Sequence, residues 1–241
     1  MVFQPHGTVI APDSLPTHER ACERVSSLFR RPWLRHYVAS KLRSDPVFPA
    51  AWELLHQSTQ PVLDVGCGVG LLAFYLRERG FEQPITGLDV DVRKVREASA
   101  VAAQRYANLH FMEHDVAEEL ADFSGNVALL DVLHYLEPLR QQTLLSELSA
   151  CVPSGATLLL RDCPRDRSPR FWMTYAGERF AQTVSWNLGV PLHFPTRDSI
   201  NASFAEGEFA RAEEPAYGGT PFNNRLFTFQ RRASAAVAVA E

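Results

Sequence analysis

The chain has 241 residues, 46% hydrophobic and 22% charged, with a formal net charge of −4 at pH 7. That length suits one domain with a substantial core, or one domain and a small cap. The acidic balance speaks against a general nucleic-acid binder, and no apolar run nears the roughly 18 residues a membrane span needs.

Residues 1–16, MVFQPHGTVIAPDSLP, lack a basic segment followed by an apolar stretch, so no signal peptide is expected and the segment reads as an irregular arm. From about Thr17 to His56, apolar residues such as Val25, Leu28 and Phe29 recur at helical spacing, and Pro32 and Pro46 divide the region into short helices. An alternating series follows. PVLDV (61–65) reads as a strand and Leu71 to Arg79 as a helix closed by Gly80. PITGLDV (84–90) is a strand, Val92 to Tyr106 a helix, and LHFMEH (109–114) and VALLDVL (127–133) are strands. Leu139 to Cys151 reads as a helix and ATLLLRD (156–162) as a strand. Near-continuous apolar strands alternating with helices predict a parallel sheet covered on both faces.

After Asp162 the pattern changes to a segment rich in Arg, Pro and aromatics, with Phe171, Trp172, Tyr175, Phe180, Trp186 and Phe194. From about Ile200 to Gln230 the expectation is a helix, a turn at Pro215 to Pro221 and a closing strand, NRLFTFQ. The domain plan is therefore an arm and helical cap at 1–56, a ligand-binding domain at 57–230 with an aromatic-rich lid insertion, and a flexible tail at 231–241. The four cysteines, Cys22, Cys67, Cys151 and Cys163, form no CxxC pair. They favour free thiols in a reducing cytoplasm over disulfides or a zinc site.

The first strand-to-helix turn, Asp64-Val65-Gly66-Cys67-Gly68-Val69-Gly70, carries the chemistry. A dinucleotide fingerprint G-x-G-x-x-G would put its third glycine at position 71, which is Leu; the glycine stands at 70. Asp89 ends the second strand, 23 residues after Gly66, where an acid can hold both ribose hydroxyls. With Asp64, Asp115 and Asp131 it gathers four carboxylates around one crevice. These would repel a pyrophosphate and suit a cationic ligand. S-adenosylmethionine has that character, with a sulfonium, an ammonium, a ribose and an adenine. An NAD-dependent oxidoreductase is the weaker alternative, and a non-catalytic donor-binding protein is a third.

The run D-x-G-x-G-x-G at 64–70, Asp89, HDV at 114–116 and LLDVLHYL at 129–136 resemble, over about residues 60–162, the class I S-adenosylmethionine-dependent methyltransferases. The resemblance implies a doubly wound, mostly parallel seven-stranded Rossmann-like sheet with its last strand antiparallel. It also implies that Gly66, Cys67, Gly68 and Gly70 make room for the methionine part and that Asp64 holds the ammonium. Asp89 would take the ribose, with Val90 packed on adenine, and Asp115 would bind the adenine amino group beside Val116. DVLHYL, TPFNNRLFTF and RHYVASKLRSDPVFPA are similar, more narrowly, to methyltransferases of aryl-polyene pigment gene clusters of Gram-negative bacteria. That likeness implies an aromatic, phenolic acceptor, carried on an acyl carrier protein.

Each assignment has a plainer counterpart. Asp89 could cap the next helix and Asp115 the VAEEL segment. Asp131 is either a wall of the donor pocket or a satisfied core acid. His134 follows the fourth strand, where the resembled fold places residues beside the methyl group, and is the candidate general base. Trp172 and Tyr175 are the candidate walls for a flat substrate, while Glu178 either orients a hydroxyl or, as the ordinary expectation, pairs beside Arg179 on the surface. Seven basic residues between Glu19 and Arg43 oppose only Glu19 and Glu23, which is either a solvated face or a surface for an acidic carrier. No carboxylate-rich cluster with metal-ligand spacing follows the fourth strand, so no metal is expected.

Overall fold

The computed structural model describes residues 17–118, 120, 122–184 and 191–233. The arm at 1–16, Trp186 and the tail beyond Ala233 lie outside the described residues.

Three short helices come first: α1 (His18–Ser27), α2 (Pro32–Ser44) and α3 (Val47–Leu55). Thr17 caps α1 by accepting from the Arg20 amide, and Pro32 opens α2 at a position where no amide hydrogen is needed. The alternating part is β1 (Val62–Val65), α4 (Leu71–Glu78), β2 (Ile85–Asp89), α5 (Val92–Arg105), β3 (Leu109–Glu113) and β4 (Asn126–Leu130). It continues through α6 (Pro138–Ala150), β5 (Thr157–Asp162), α7 (Pro169–Val184), α8 (Arg197–Asn201), β6 (Phe209–Pro215) and β7 (Arg225–Arg231). The strands form one seven-stranded sheet ordered β3-β2-β1-β4-β5-β7-β6, in which only β7 runs against its neighbours. The order reverses between β1 and β4, which opens the ligand crevice of such sheets at their carboxyl ends.

Alternating side chains supply the two cores. Val62, Ile85, Ala128 and Leu159 share one cluster with α1 to α5, whereas Leu63, Leu88, Val127, Leu129, Leu158 and Leu160 pack with α6, Ile200 and Phe204 on the other face.

Three expectations change. The fourth strand stops at Leu130, not Leu133, because Asp131 adopts φ +60°, which ends extended pairing. The helix expected after Ile200 is the short α8, and an unforeseen edge strand, β6, precedes β7. The aromatic segment after Asp162 contains a 16-residue helix, α7, that the sequence pattern did not announce.

One buried charge joins the helical segment to the sheet. Arg161, on β5, is 2% exposed. Its guanidinium donates to Asp131 at the end of β4, through Nε at 2.8 Å and through Nη2, and to Asp45 between α2 and α3 through Nη1. Lys41 of α2 lies 2.8 Å from Asp45 and 3.9 Å from Asp131. Two cations and two carboxylates thus balance locally. Removing one member leaves charge uncompensated in the interior, so Arg161→Met is expected to cost about 3–5 kcal/mol. Urea unfolding would show this as a lowered midpoint with an unchanged slope; an unshifted midpoint would mean the cluster contributes nothing to stability.

Candidate active site

The glycine loop hangs from the end of β2. The amides of Gly66 and Cys67 donate to the Leu88 carbonyl at 2.7 and 2.9 Å, and the Gly68 amide donates to Asp89 Oδ2 at 2.8 Å. Gly66 stands at φ +77°, and a Cβ there would collide with Val132 Cγ2. Gly68, at φ +57°, faces open space, so the loop presents bare backbone to whatever binds above it.

Two acids border this cradle. Asp89 is 7% exposed and also accepts the Asp91 amide at 2.9 Å. The helix-capping alternative falls not to Asp89 but to Asp91, which accepts the Arg93 amide at the start of α5. Asp64 is 2% exposed, and its Oδ2 has no hydrogen-bond partner among the described residues. Burial, and then repulsion from Asp89, push the Asp64 carboxyl up to about 7. A buried carboxylate beside a second acid, with no cation against it, suits a positively charged ligand. Burial pushes the Cys67 thiol up as well, which leaves it an inert apolar wall of the loop.

Val90 is 63% exposed beside the crevice. Asp115 is exposed and accepts the Ala117 amide at 2.8 Å in a turn, with no helix following it among the described residues, and Val116 packs on the second core cluster. Arg140 of α6 fixes this turn by donating to the Val116 carbonyl at 2.7 Å and to that of Glu118. Asp131 commits both oxygens to Arg161 and faces Lys41; burial raises its carboxyl, and the two cations outweigh that and hold it below the usual range. Val132, its neighbour, is the residue that covers Gly66.

A second polar group lies just beyond Val132, on a 3-10 turn over Leu133–Tyr135. His134 is 3% exposed, and its Nδ1 lies 2.9 Å from Oδ1 of Asp162, the last residue of β5. The His134 amide donates to the other Asp162 oxygen at 3.2 Å, so ring and backbone are held together. Nε2 has no hydrogen-bond partner among the described residues and stands 3.9 Å from Oε2 of Glu178 on α7. That same oxygen accepts the Tyr135 hydroxyl at 3.0 Å. Glu178, expected on the surface, is thus part of this group.

Phe194 stacks on the imidazole with centroids 5.3 Å apart and planes 11° apart. Phe194 contacts Phe171 and Tyr175, and Tyr175 contacts Trp172, so an aromatic wall runs from the buried imidazole to the surface, where Trp172 is 60% and Tyr175 39% exposed. Phe180 lies on α7 as well. Asp162 and Tyr135 were not among the expected site residues, and Glu178 had a hydroxyl-orienting reading that ranked below the surface one. Of the first two, Asp162 alone had a readable signal: like Asp64 and Asp89, it is an acid at the carboxyl end of an apolar strand.

The sheet order, the glycine cradle and the acids at the strand ends define a Rossmann-like fold with a ligand crevice at the carboxyl ends of its strands. Residues 62–155 match the family described as a methyltransferase domain, a domain whose cofactor is S-adenosylmethionine. Ubiquinone biosynthesis O-methyltransferase from Rickettsia conorii is 28% identical over 129 residues, 52% of this chain and 44% of that protein. An uncharacterized methyltransferase from Mycobacterium tuberculosis is 36% identical over 104 residues, 42% of this chain and 49% of that protein. The matched regions thus span about half the length of these curated relatives. Among solved structures, magnesium protoporphyrin IX methyltransferase from Synechocystis PCC 6803 with bound SAH superposes with a TM-score of 0.56 at 21% identity, covering 92% of this chain and 90% of that one. The mitomycin 7-O-methyltransferase MmcR gives a TM-score of 0.61 at 15% identity, covering 87% and 60%. These two show the shared fold.

The residues present fit this cofactor, because the orphaned Asp64 oxygen and the open backbone at Gly68 match a ligand that brings a cation and no phosphate. A pH dependence follows. Asp64 has its folded pKa raised above the unfolded value, so the ligand-free protein loses stability as pH rises from the ordinary carboxylate range to about 7. Asp64→Asn should abolish that loss and melt higher than the parent at pH 8. Affinity of the parent for S-adenosylhomocysteine, which carries an ammonium, should rise between pH 6 and 8 and be weaker and pH-independent in the variant. Calorimetry showing equal, pH-independent binding in both would rule out a charge role for Asp64.

Proposed function

We propose that the whole protein is an S-adenosylmethionine-dependent methyltransferase acting on the hydroxyl of a small aromatic acceptor. The observation that carries this reading is the buried His134–Asp162–Glu178 group, walled by Phe194, Tyr175 and Trp172, two residues beyond the side chain that covers Gly66.

In this reading Gly66, Cys67, Gly68 and Gly70 shape the methionine pocket, and Asp64 faces the ammonium. Asp89 holds the ribose, Val90 packs on adenine, and Asp115 with Val116 closes the adenine end. The cofactor supplies a methyl group already activated by its sulfonium and a leaving group that needs no protonation. What remains for the protein is alignment, which can contribute about 7–11 kcal/mol, and removal of the acceptor's proton near His134. Trp172 and Tyr175 offer flat faces to an aromatic ring.

The finer form of the proposal is the aryl-polyene type, with a phenolic head group held on an acyl carrier protein in the cytoplasm. What supports it is the excess of exposed cations in the N-terminal helical segment, Arg20 on α1, Arg30 and Arg31 in the connection, and Arg35 and Arg43 on α2. Such an excess complements an acidic partner.

Titration calorimetry with S-adenosylhomocysteine and, separately, NAD⁺ tests the donor. Micromolar binding of the first alone, weakened at least tenfold by Asp89→Ala, is expected. Binding of NAD⁺ instead would replace the methyltransferase reading with an oxidoreductase one. Methylation of carrier-bound but not free phenols would establish the finer form, and the reverse preference would remove the carrier.

A further inference from the structure

His134 is the residue that sequence reasoning marks as the base, yet its surroundings leave it poorly suited to accept a proton. Its Nδ1 sits on Asp162 from β5, its Nε2 faces Glu178 from α7, and Asp131 from the end of β4 adds a third negative charge nearby. Among the described residues, the segment packed on its ring face contributes Phe194 and the His193 amide, which donates to the His134 carbonyl at 2.8 Å. Burial disfavours the charged ring, but Asp162, then Glu178 and Asp131, outweigh it and push the imidazole up to about 9. Carboxylates opposite both ring nitrogens thus favour the doubly protonated ring. Stacked between Phe194 and Tyr135, and tied to Asp162 through ring and amide, it is also held in place.

Glu178 has what His134 lacks. It is partly exposed, and it lies on α7 one and two turns beyond Tyr175 and Trp172, the residues that would carry the acceptor ring. Its Oε2 is already oriented by the Tyr135 hydroxyl at 3.0 Å and by the imidazole at 3.9 Å. We propose that Glu178 is the catalytic base that takes the acceptor hydroxyl's proton, and that His134 is a fixed cationic partner, positioned by Asp162, that holds Glu178 toward the acceptor. The acceptor oxygen bonds the methyl carbon as the carbon–sulfur bond breaks, and the sulfur keeps that electron pair and becomes neutral. The hydroxyl proton passes to the Glu178 carboxylate. Charge balances, since one sulfonium and one carboxylate become a neutral thioether and a carboxylic acid. The assignment rests on the proposed transfer to an aromatic hydroxyl.

The test compares Glu178→Gln with the parent on 4-methylphenol, un-ionised at pH 8, and 4-nitrophenol, largely ionised there. A lost base should reduce kcat on the first by about 100-fold or more and on the second by less than tenfold. S-adenosylhomocysteine affinity, measured by calorimetry, should stay unchanged. Equal losses on both phenols would make Glu178 a structural residue only and overturn the proposal. A parent that binds S-adenosylhomocysteine but methylates neither phenol, free or attached to an acyl carrier protein, would remove the phenolic acceptor and this assignment with it. Failure of the parent to bind S-adenosylhomocysteine would instead sink the methyltransferase reading. Independently of turnover, NMR titration of the donor-free protein should show His134 ionising above pH 8 in the parent and lower in Glu178→Gln. A His134 that titrates near its ordinary value in both would return the base role to the imidazole.

Discussion

A buried guanidinium on β5 sets the geometry of everything at the carboxyl end of the sheet. Arg161 cannot stay charged inside the protein without carboxylates brought to it, and one of them, Asp131, reaches it from the end of the neighbouring parallel strand. Meeting that demand takes the backbone of Asp131 to φ +60° and stops β4 there. The next residue, Val132, then lies on Gly66, and the turn that follows brings His134 against Asp162, the residue after Arg161. The second carboxylate, Asp45, ties α2 and α3 to the same point. One charge thereby fixes the inner wall of the glycine cradle, the position of the imidazole and the seat of the N-terminal helices.

Two acid clusters a few residues apart illustrate opposite solutions to the same electrostatic problem. Around Arg161 each carboxylate has its cation, and the carboxyls are held below their ordinary range. Around the glycine loop Asp64 and Asp89 stand together without an ion pair among the described residues, and Asp64 is driven up to about 7. A chain that pairs its acids in one place and leaves two unpaired in another carries the second as an unfavourable feature that a ligand can relieve. Functional sites are where local rules are broken in this way.

How much of this was legible depended on sequence distance. The glycine loop, its flanking acids and the strands β1 to β5 are local patterns, and their order is correct to within a few residues. Strand β6 escaped because FARAEEP is a charged edge strand, half exposed, with little apolar alternation to betray it. Helix α7 escaped because its aromatics are spread around the helix, some toward Phe194 and some toward solvent, so no single apolar face emerges. The site residues follow the same division. Asp64 sits beside the glycines and Asp89 ends the next strand, 23 residues after Gly66 where a ribose-binding acid belongs, whereas Asp162 and Glu178, 28 and 44 residues from His134, carry no motif that ties them to it. Only the adjacency of β4 and β5, and the packing of α7 beside them, brings the three together.

That separation also explains why a lone histidine misleads when read in one dimension. An imidazole with an unperturbed pKa near ~6.5 is a reasonable base on composition alone. With the ring placed between two carboxylates and sealed by Phe194, its charged form is favoured despite burial, and in the proposed assignment the proton acceptor is the more exposed carboxylate. The fold does not move His134 away from the chemistry. It changes which member of the group can change charge, because Asp162 contributes an acid that nothing near His134 in sequence could supply. The pocket's two ends are then governed by one rule. Asp64 is left without an ion pair among the described residues, which suits a charged donor, while Glu178 faces the imidazole that Asp162 holds, which in the proposed function is where the acceptor hydroxyl loses its proton.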